Sequence, residues 1–313
     1  MKLSIIIPSY NRPERLTKSL YRLVDQCTDH SVSIKILDNH SPVAIESIIS
    51  EKFGNYRDII EVTRNRVNIG GDANICRCYE FADSEWFWLL GDDDEPSQDA
   101  VSIILNEIEK ASLDCGYICF ATNKGRFERK HVLKKHGDFW AFVTKNTALN
   151  NMSFISSGVY RSSAAKNCLL DAYRAIHTRF CQLVIVREIH RRGNSIQLSD
   201  QSICEWLFPE AGHELCSIGL LSGIADLLNV DGFGVDSKRS LQMLFHSCYP
   251  KPFFKWVWKQ SNQRRDKEAD YMMRLFVRVI PISKGRQKAA CIMGIGICWL
   301  RSWMPPQHSS SNI

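Results

Sequence analysis

The sequence has no C-x-x-C pair: its twelve cysteines are scattered, the nearest being Cys76-x-Cys78 and Cys115-x₃-Cys119. That spacing excludes a zinc ribbon and the disulfide framework of a small secreted domain. It points to reduced thiols in a cytosolic protein, many of them filling a core. No apolar run reaches the roughly 20 residues of a spanning helix. The tail run "AACIMGIGICWL", residues 289–300, stops at twelve. The start, "MKLSIIIPSYNRP", holds one lysine and five apolar residues before its first proline. That is too short for the core of a signal peptide and reads as a first strand. No internal repeat is present, and the basic residues form no known nucleic-acid module, so no nucleic acid is expected as a partner.

What is present is an ordinary globular composition, 44% hydrophobic and 24% charged over 313 residues. That length can bury one large core or two small ones. The net charge of +6 is uneven. Residues 251–313 hold twelve Lys/Arg and three Asp/Glu, a net of +9, which leaves −3 on the first 250. The same tail holds four of the eight tryptophans: Trp256, Trp258, Trp299 and Trp303.

Up to about residue 125 the chain alternates between two periods. "LSIIIPSY", "VSIKILD", "IIEVTR", "WFWLL" and "GYICFA" read as strands. Residues 12–26, 43–53, 71–82 and 97–111 read as the helices between them. Asn11 with Glu14 looks like a capping box for the first helix. Short links between strand and helix imply right-handed crossovers and a mostly parallel α/β sheet. Beyond residue 125, "GRFERKHVL" reads as an edge hairpin and "MSFISSGVYR" as a further strand. Residues 164–191 read as helical, as does most of the chain from about 213.

One stretch raises a chemical question. "WFWLLGDDDEP", residues 86–96, runs from a buried strand straight into three aspartates. Crowded carboxylates raise one another's pKa unless a cation sits among them. Oxygen ligands suit Mg²⁺ or Mn²⁺, which also bind substrate phosphates. A solvated acidic turn is the plainer alternative. Three other strands also end on polar clusters. Pro8, Ser9, Tyr10, Asn11 and Arg12 follow the first strand. Asp38, Asn39 and His40 follow the second, and "RNRVNIGGDAN", with Asn68, Gly70, Asp72 and Asn74, follows the third. A parallel sheet lines these ends up along one edge, where ligands of open α/β sheets bind.

These blocks carry a resemblance. "SIIIPSYNRPERLTKSL", "ILDNHSP", "NRVNIGGDANICRCYEFADSEWFWLLGDDDEP" and, more weakly, "MSFISSGVYR" resemble a family 2 glycosyltransferase of the GT-A fold, over roughly residues 1–160. The flavour is that of bacterial O-antigen and capsule sugar transferases of the abequosyltransferase-like kind. The resemblance implies a GT-A domain over 1–212, with a nucleotide-binding half (1–125) and an acceptor half (126–212), then a helical region over 213–313. It implies that Tyr10, Arg12 and Asp38 hold the nucleotide base, Asp38 accepting from a base N–H. Pro8, Asn11, Asn39, Asn68, Gly70, Asp72 and Asn74 would line the nucleotide cleft. The family's metal motif is D-x-D or D-x-D-D, and Gly91 stands where its first Asp belongs. Asp94 is then the first choice for the metal, Asp93 serves ribose or metal, and Asp92 is a possible substitute.

The resemblance further implies an inverting, metal-dependent transfer from a nucleotide-diphosphate sugar to a glycan hydroxyl, with a divalent cation, Mg²⁺ or Mn²⁺. The acceptor would be carried on a polyprenyl diphosphate at the cytoplasmic face of the membrane. The basic, aromatic tail would then lie in the membrane interface; packing of that tail on the domain is the alternative. The acceptor proton needs a base. The "ED" pair that usually supplies it is missing, which leaves His177 and Asp171 in "LLDAYRAIHTRFCQ" as candidates. A sugar nucleotidyltransferase is a rival on the same fold, although "PSYNRPERL" lacks the expected glycines. A catalytically inactive nucleotide-sugar-binding protein is the rival from another class.

Overall fold

The structure is a computed structural model that describes residues 1–123, 125–205, 222–248, 267–283 and 285–302. Two compact units divide the chain, Met1–His213 and Glu214–Ile313. The boundary expected at 212/213 lies outside the described residues.

The first unit is built on an eight-stranded sheet. Its strands are β1 (Leu3–Ser9), β2 (Ser33–Asp38), β3 (Ile60–Arg64), β4 (Trp86–Leu89), β6 (Cys115–Ala121), β7 (His131–Leu133), β8 (Gly158–Arg161) and β9 (Ser195–Ser202). They lie in the order β3-β2-β1-β4-β8-β6-β9-β7. β5 (Glu95–Pro96) instead pairs antiparallel with β10 (Cys204–Glu205) in a separate two-stranded ribbon. The β3-β2-β1-β4 half is parallel throughout. β8 runs antiparallel between β4 and β6.

Continuous apolar strands follow from this layout. Ile5, Ile7, Trp86 and Trp88 are inaccessible to solvent and share one core with the buried faces of the flanking helices. Helix α1 (Pro13–Asp29) adds Leu16, Leu20 and Leu23 to that core, at the helical spacing read from sequence, and helix α2 (Ile45–Lys52) adds Ile45 and Ile49. Chain order reverses between β1 and β4, because β2 and β3 lie to one side of β1 and β4 to the other. A crevice at the carboxyl ends of the strands is expected at such a switch point.

Several local expectations change. No capping box forms. Arg12 is the N-cap of α1 without a side-chain capping bond, and Asn11 takes a left-handed φ of 53°. The anticipated hairpin at 125–133 is instead an edge strand, β7, paired with β9. The helical stretch 164–191 is three helices, Ser162–Lys166, Leu169–Arg174 and Cys181–Arg191. It breaks where Arg179 adopts φ 60°.

The ten cysteines whose side chains are described are all buried free thiols. In the second unit, helices Gly234–Cys248, Lys267–Val279 and Gly285–Ser302 are described, the last two packed together. Trp256, Trp258, Trp303 and Lys284 of the basic tail lie outside the described residues. No helix among the described residues is long and apolar enough to cross a membrane.

Candidate active site

The three aspartates after β4 take three different roles. Asp92 is buried; its Oδ2 accepts from the Ser9 hydroxyl (2.6 Å) and its Oδ1 from Arg12 Nη1 (3.1 Å). Asp93 is partly open to solvent and accepts from Arg12 Nη1 (2.8 Å) and Arg15 Nη1 (3.4 Å). Asp94 turns back into the protein, where its Oδ2 accepts from the Ser156 hydroxyl at 2.5 Å. Gly91 makes room for that fold-back, since a Cβ there would sit 2.5 Å from Asp94 Oδ2. Ser156 in turn accepts the Gly91 N–H (2.8 Å), and its carbonyl accepts the Trp88 indole N–H (2.8 Å). Of the three carboxylates, one therefore braces the loop, and Asp92 and Asp93 line the cleft.

Electrostatics follow burial. Loss of solvent pushes Asp94 up to about 7 despite the Ser156 bond, and the neighbouring Asp93 and Asp92 charges add to the rise. Burial also raises Asp92, against the opposing hydrogen bond from Ser9 and the charge of Arg12. Helix α1 answers this acidity with a basic stripe at helical spacing. Arg12 and Arg15 pair with Asp93, and Lys18 and Arg22 with Glu95.

Asp92 and Asp93 open on a cleft of about 400 Å³ at the switch point. Pro8, Ser9, Tyr10 and Arg12 form its β1 side, and Asn39 lines it after β2. Asn68, Gly70, Gly71 and Asn74 come from the β3 loop and the start of helix α3 (Gly71–Glu80). Gly70 has φ 87°, a left-handed turn that only glycine enters cheaply.

A network of asparagine amides fixes this wall. Asn74 Nδ2 donates to the Leu37 carbonyl (3.1 Å), and Asn65 Nδ2 donates to Asn74 Oδ1 and Asn39 Oδ1 (both 2.9 Å). Asn39 Nδ2 then donates to Asn68 Oδ1 (2.8 Å).

Of the residues picked from sequence, the cleft gathers Pro8, Tyr10, Arg12, Asn39, Asn68, Gly70, Asn74, Asp92 and Asp93. The others do not line it. Asp38 is inaccessible to solvent and already used: it accepts from the Ser41 N–H (2.8 Å) and from Arg64 Nη1 (2.7 Å). Asn39, the next residue, lines the cleft instead. Asn11 is exposed, and its N–H donates to Ser41 Oγ (3.0 Å). Asp72 lies half-buried at the opening of α3; burial raises its pKa, and the nearby Arg179 opposes the rise. Asp94, the first choice for metal, faces Ser156 rather than the cleft.

Neither candidate base reaches the cleft. Asp171 is tied to Arg192 Nη2 (2.7 Å). His177 is exposed on a single 3-10 turn packed against α3. Asp171→Ala is therefore expected to change kcat by less than about threefold, in line with the small worth of an exposed ion pair; steady-state kinetics check this.

The sequence places Ser9 and Asn65 only within polar clusters at strand ends, with no role of their own, and singles out Ser156 not at all. Ser156 carried only a weak signal, as a serine in the "MSFISSGVYR" block. Ser156→Ala strips partners from the buried Asp94 carboxyl and the Gly91 N–H. It should cost about 1–3 kcal/mol, read by urea unfolding.

A divalent cation fits the cleft in one way. No group of three His, Cys, Asp or Glu converges on a point among the described residues. Mg²⁺ and Mn²⁺ sites of substrate phosphates need only one or two carboxylates. Asp92 and Asp93 both line the cleft and supply carboxylate oxygens there, with no histidine or cysteine among the lining residues. That donor set suits a hard cation completed by phosphate oxygens.

Fold and cleft together describe a nucleotide-sugar transferase scaffold of the GT-A type. Residues 4–165, more than half of the chain, match the family described as glycosyl transferase family 2, and the protein belongs to that family. It is 33% identical over 105 residues to abequosyltransferase RfbV of Salmonella typhimurium. That match spans 33% of this chain and only 32% of that protein's length. Among solved structures, residues 1–349 of TarS of S. aureus superpose with a TM-score of 0.60 at 15% identity, over 96% of this chain and 89% of that one. The mannosyltransferase PcManGT of Pyrobaculum calidifontis, solved with GDP-Man and Mn²⁺, gives a TM-score of 0.57 at 11% identity, over 96% and 87%. At such identities the two superpositions establish the fold.

Proposed function

We propose that this protein transfers a sugar from a nucleotide-diphosphate sugar to a hydroxyl of a surface-polysaccharide glycan. One observation carries the reading: Asp92 and Asp93 share a single cleft with Tyr10, Asn39 and Asn68 at the switch point of the sheet. The solved relative bound to GDP-Man and Mn²⁺ supports a nucleotide-sugar donor and a cation. The nucleoside would lie between Tyr10 and the asparagine wall, and the diphosphate beside Arg12. Asp93, with Asp92, would hold Mg²⁺ or Mn²⁺. The bound cation would neutralise the departing diphosphate.

Ser9 keeps Asp92 oriented through its 2.6 Å hydrogen bond, so the carboxylate need not reorganise on binding. The acceptor oxygen bonds to the anomeric carbon as the bond to the diphosphate breaks, and its proton leaves to a base. Inversion is the outcome the family favours. A polyprenyl-diphosphate-linked acceptor suits a peripheral position on the inner face of the cell membrane. The basic, tryptophan-containing tail supports that position. In helix Gly285–Ser302, Ile292 is 55% exposed, while Ala290 and Cys291 are buried.

Release of nucleoside diphosphate from UDP-, GDP-, CDP- and dTDP-sugars tests this, with a polyprenyl-linked oligosaccharide acceptor and with or without Mn²⁺. One donor should be consumed, and only with metal. Neither Asp171 nor His177 lines the cleft, which favours a second reading, an inactive nucleotide-sugar-binding protein. Donor binding without release under every condition would establish that second reading.

A further inference from the structure

Arg12 occupies the position where a cation is wanted. A single guanidinium nitrogen, Nη1, lies 3.1 Å from Asp92 Oδ1 and 2.8 Å from Asp93 Oδ2. Both carboxylates keep a second partner without it: Ser9 holds Asp92 at 2.6 Å, and Arg15 reaches Asp93 at 3.4 Å. The Arg12 side chain is 41% exposed and stands on the cleft wall. Its withdrawal leaves the buried Asp92 carboxylate with the Ser9 hydroxyl alone, so a second cation has to take its place, and it leaves the guanidinium on the cleft wall. Guanidinium groups pair with phosphate oxygens in the same forked geometry they use for carboxylates.

We propose that Arg12 is an exchangeable internal counter-ion. It bridges Asp92 and Asp93 until a divalent cation arrives, and then moves to the donor diphosphate. The idea rests on reading the cleft as a donor site, and it adds a sign to the energetics. Arg12 opposes binding of the cation alone and favours binding of cation and diphosphate together. Binding of the two is then coupled, and by linkage the coupling is reciprocal.

The test uses the full chain and two probes, Mn²⁺ alone and preformed Mn²⁺–pyrophosphate, with binding followed by the Mn²⁺ paramagnetic resonance signal. Arg12→Gln should bind Mn²⁺ alone at least about fivefold tighter and Mn²⁺–pyrophosphate at least about fivefold weaker, the lower end of ordinary coupling energies. Lys18→Gln removes the same charge from the same helix but pairs with Glu95 outside the cleft. It should shift neither affinity by more than about twofold, because an exposed charge acts weakly at that distance.

Matching shifts in Lys18→Gln would reduce Arg12 to general electrostatics and overturn the exchange. Unchanged or weaker Mn²⁺ binding in Arg12→Gln would overturn it as well. If neither wild type nor Arg12→Gln binds either probe, the cation site itself is wrong and the exchange falls with it.

Discussion

Asp93→Ala should fold normally and lose about 10³-fold or more in kcat/KM, with no metal-dependent donor binding left. The side chain is 31% exposed, and its partners are solvent-facing arginines. Removing such ion pairs costs about 0–1 kcal/mol. The catalytic loss is large because a carboxylate that holds a charge-neutralising cation acts on the leaving group, where several kcal/mol of transition-state stabilisation are at stake. Asp94→Ala should behave in the opposite sense. Its carboxyl braces Ser156 and folds over Gly91, so its loss shows first in the unfolding midpoint. Steady-state kinetics and urea unfolding of the two variants separate the roles.

The second large effect is expected at Asp38. Its carboxylate is inaccessible to solvent and accepts from two backbone N–H groups, of Ser41 and Ile45, as well as from Arg64. Those bonds close the turn after β2 and set Asn39 against the cleft. Asp38→Ala leaves a guanidinium and two amides short of an acceptor, a loss of about 3 kcal/mol. In a unit of this size that lowers the melting temperature by about 6–12 °C. The preference among nucleotides should stay as in wild type, because Asp38 does not line the cleft. A variant that melts normally but changes its nucleotide preference would return Asp38 to the base-binding role that the family resemblance implied.

The centre of the parallel half, β1 and β4, could be read from sequence because these strands are buried on both faces and appear as apolar runs. The strand "SIQLSDQS" does not read as one because Ser195, Gln197 and Ser199 are polar yet buried. Gln197, for example, donates to Glu107 at 2.5 Å from inside the sheet. Convergence on the switch point was also legible, since it depends only on strand direction. Which of two adjacent residues faces the cleft was not. Asp38 is the last residue of β2 and Asn39 the first beyond it, and Asp94 differs from Asp93 only by a turn over Gly91. The basic stripe of α1 was hidden for a related reason. Its spacing looks like any solvated helix face until the acidic loop is placed beside it.

The most direct test of the central claim is a thermal-shift screen of wild type and Asp93→Ala with UDP-, GDP-, CDP- and dTDP-sugars, each with and without Mn²⁺. Ligands that bind only the folded state raise the melting temperature with occupancy. One nucleotide should stabilise wild type only in the presence of Mn²⁺ and leave Asp93→Ala unchanged. If no nucleotide acts, or if Asp93→Ala responds like wild type, the aspartates after β4 form an acidic turn and no donor site stands there.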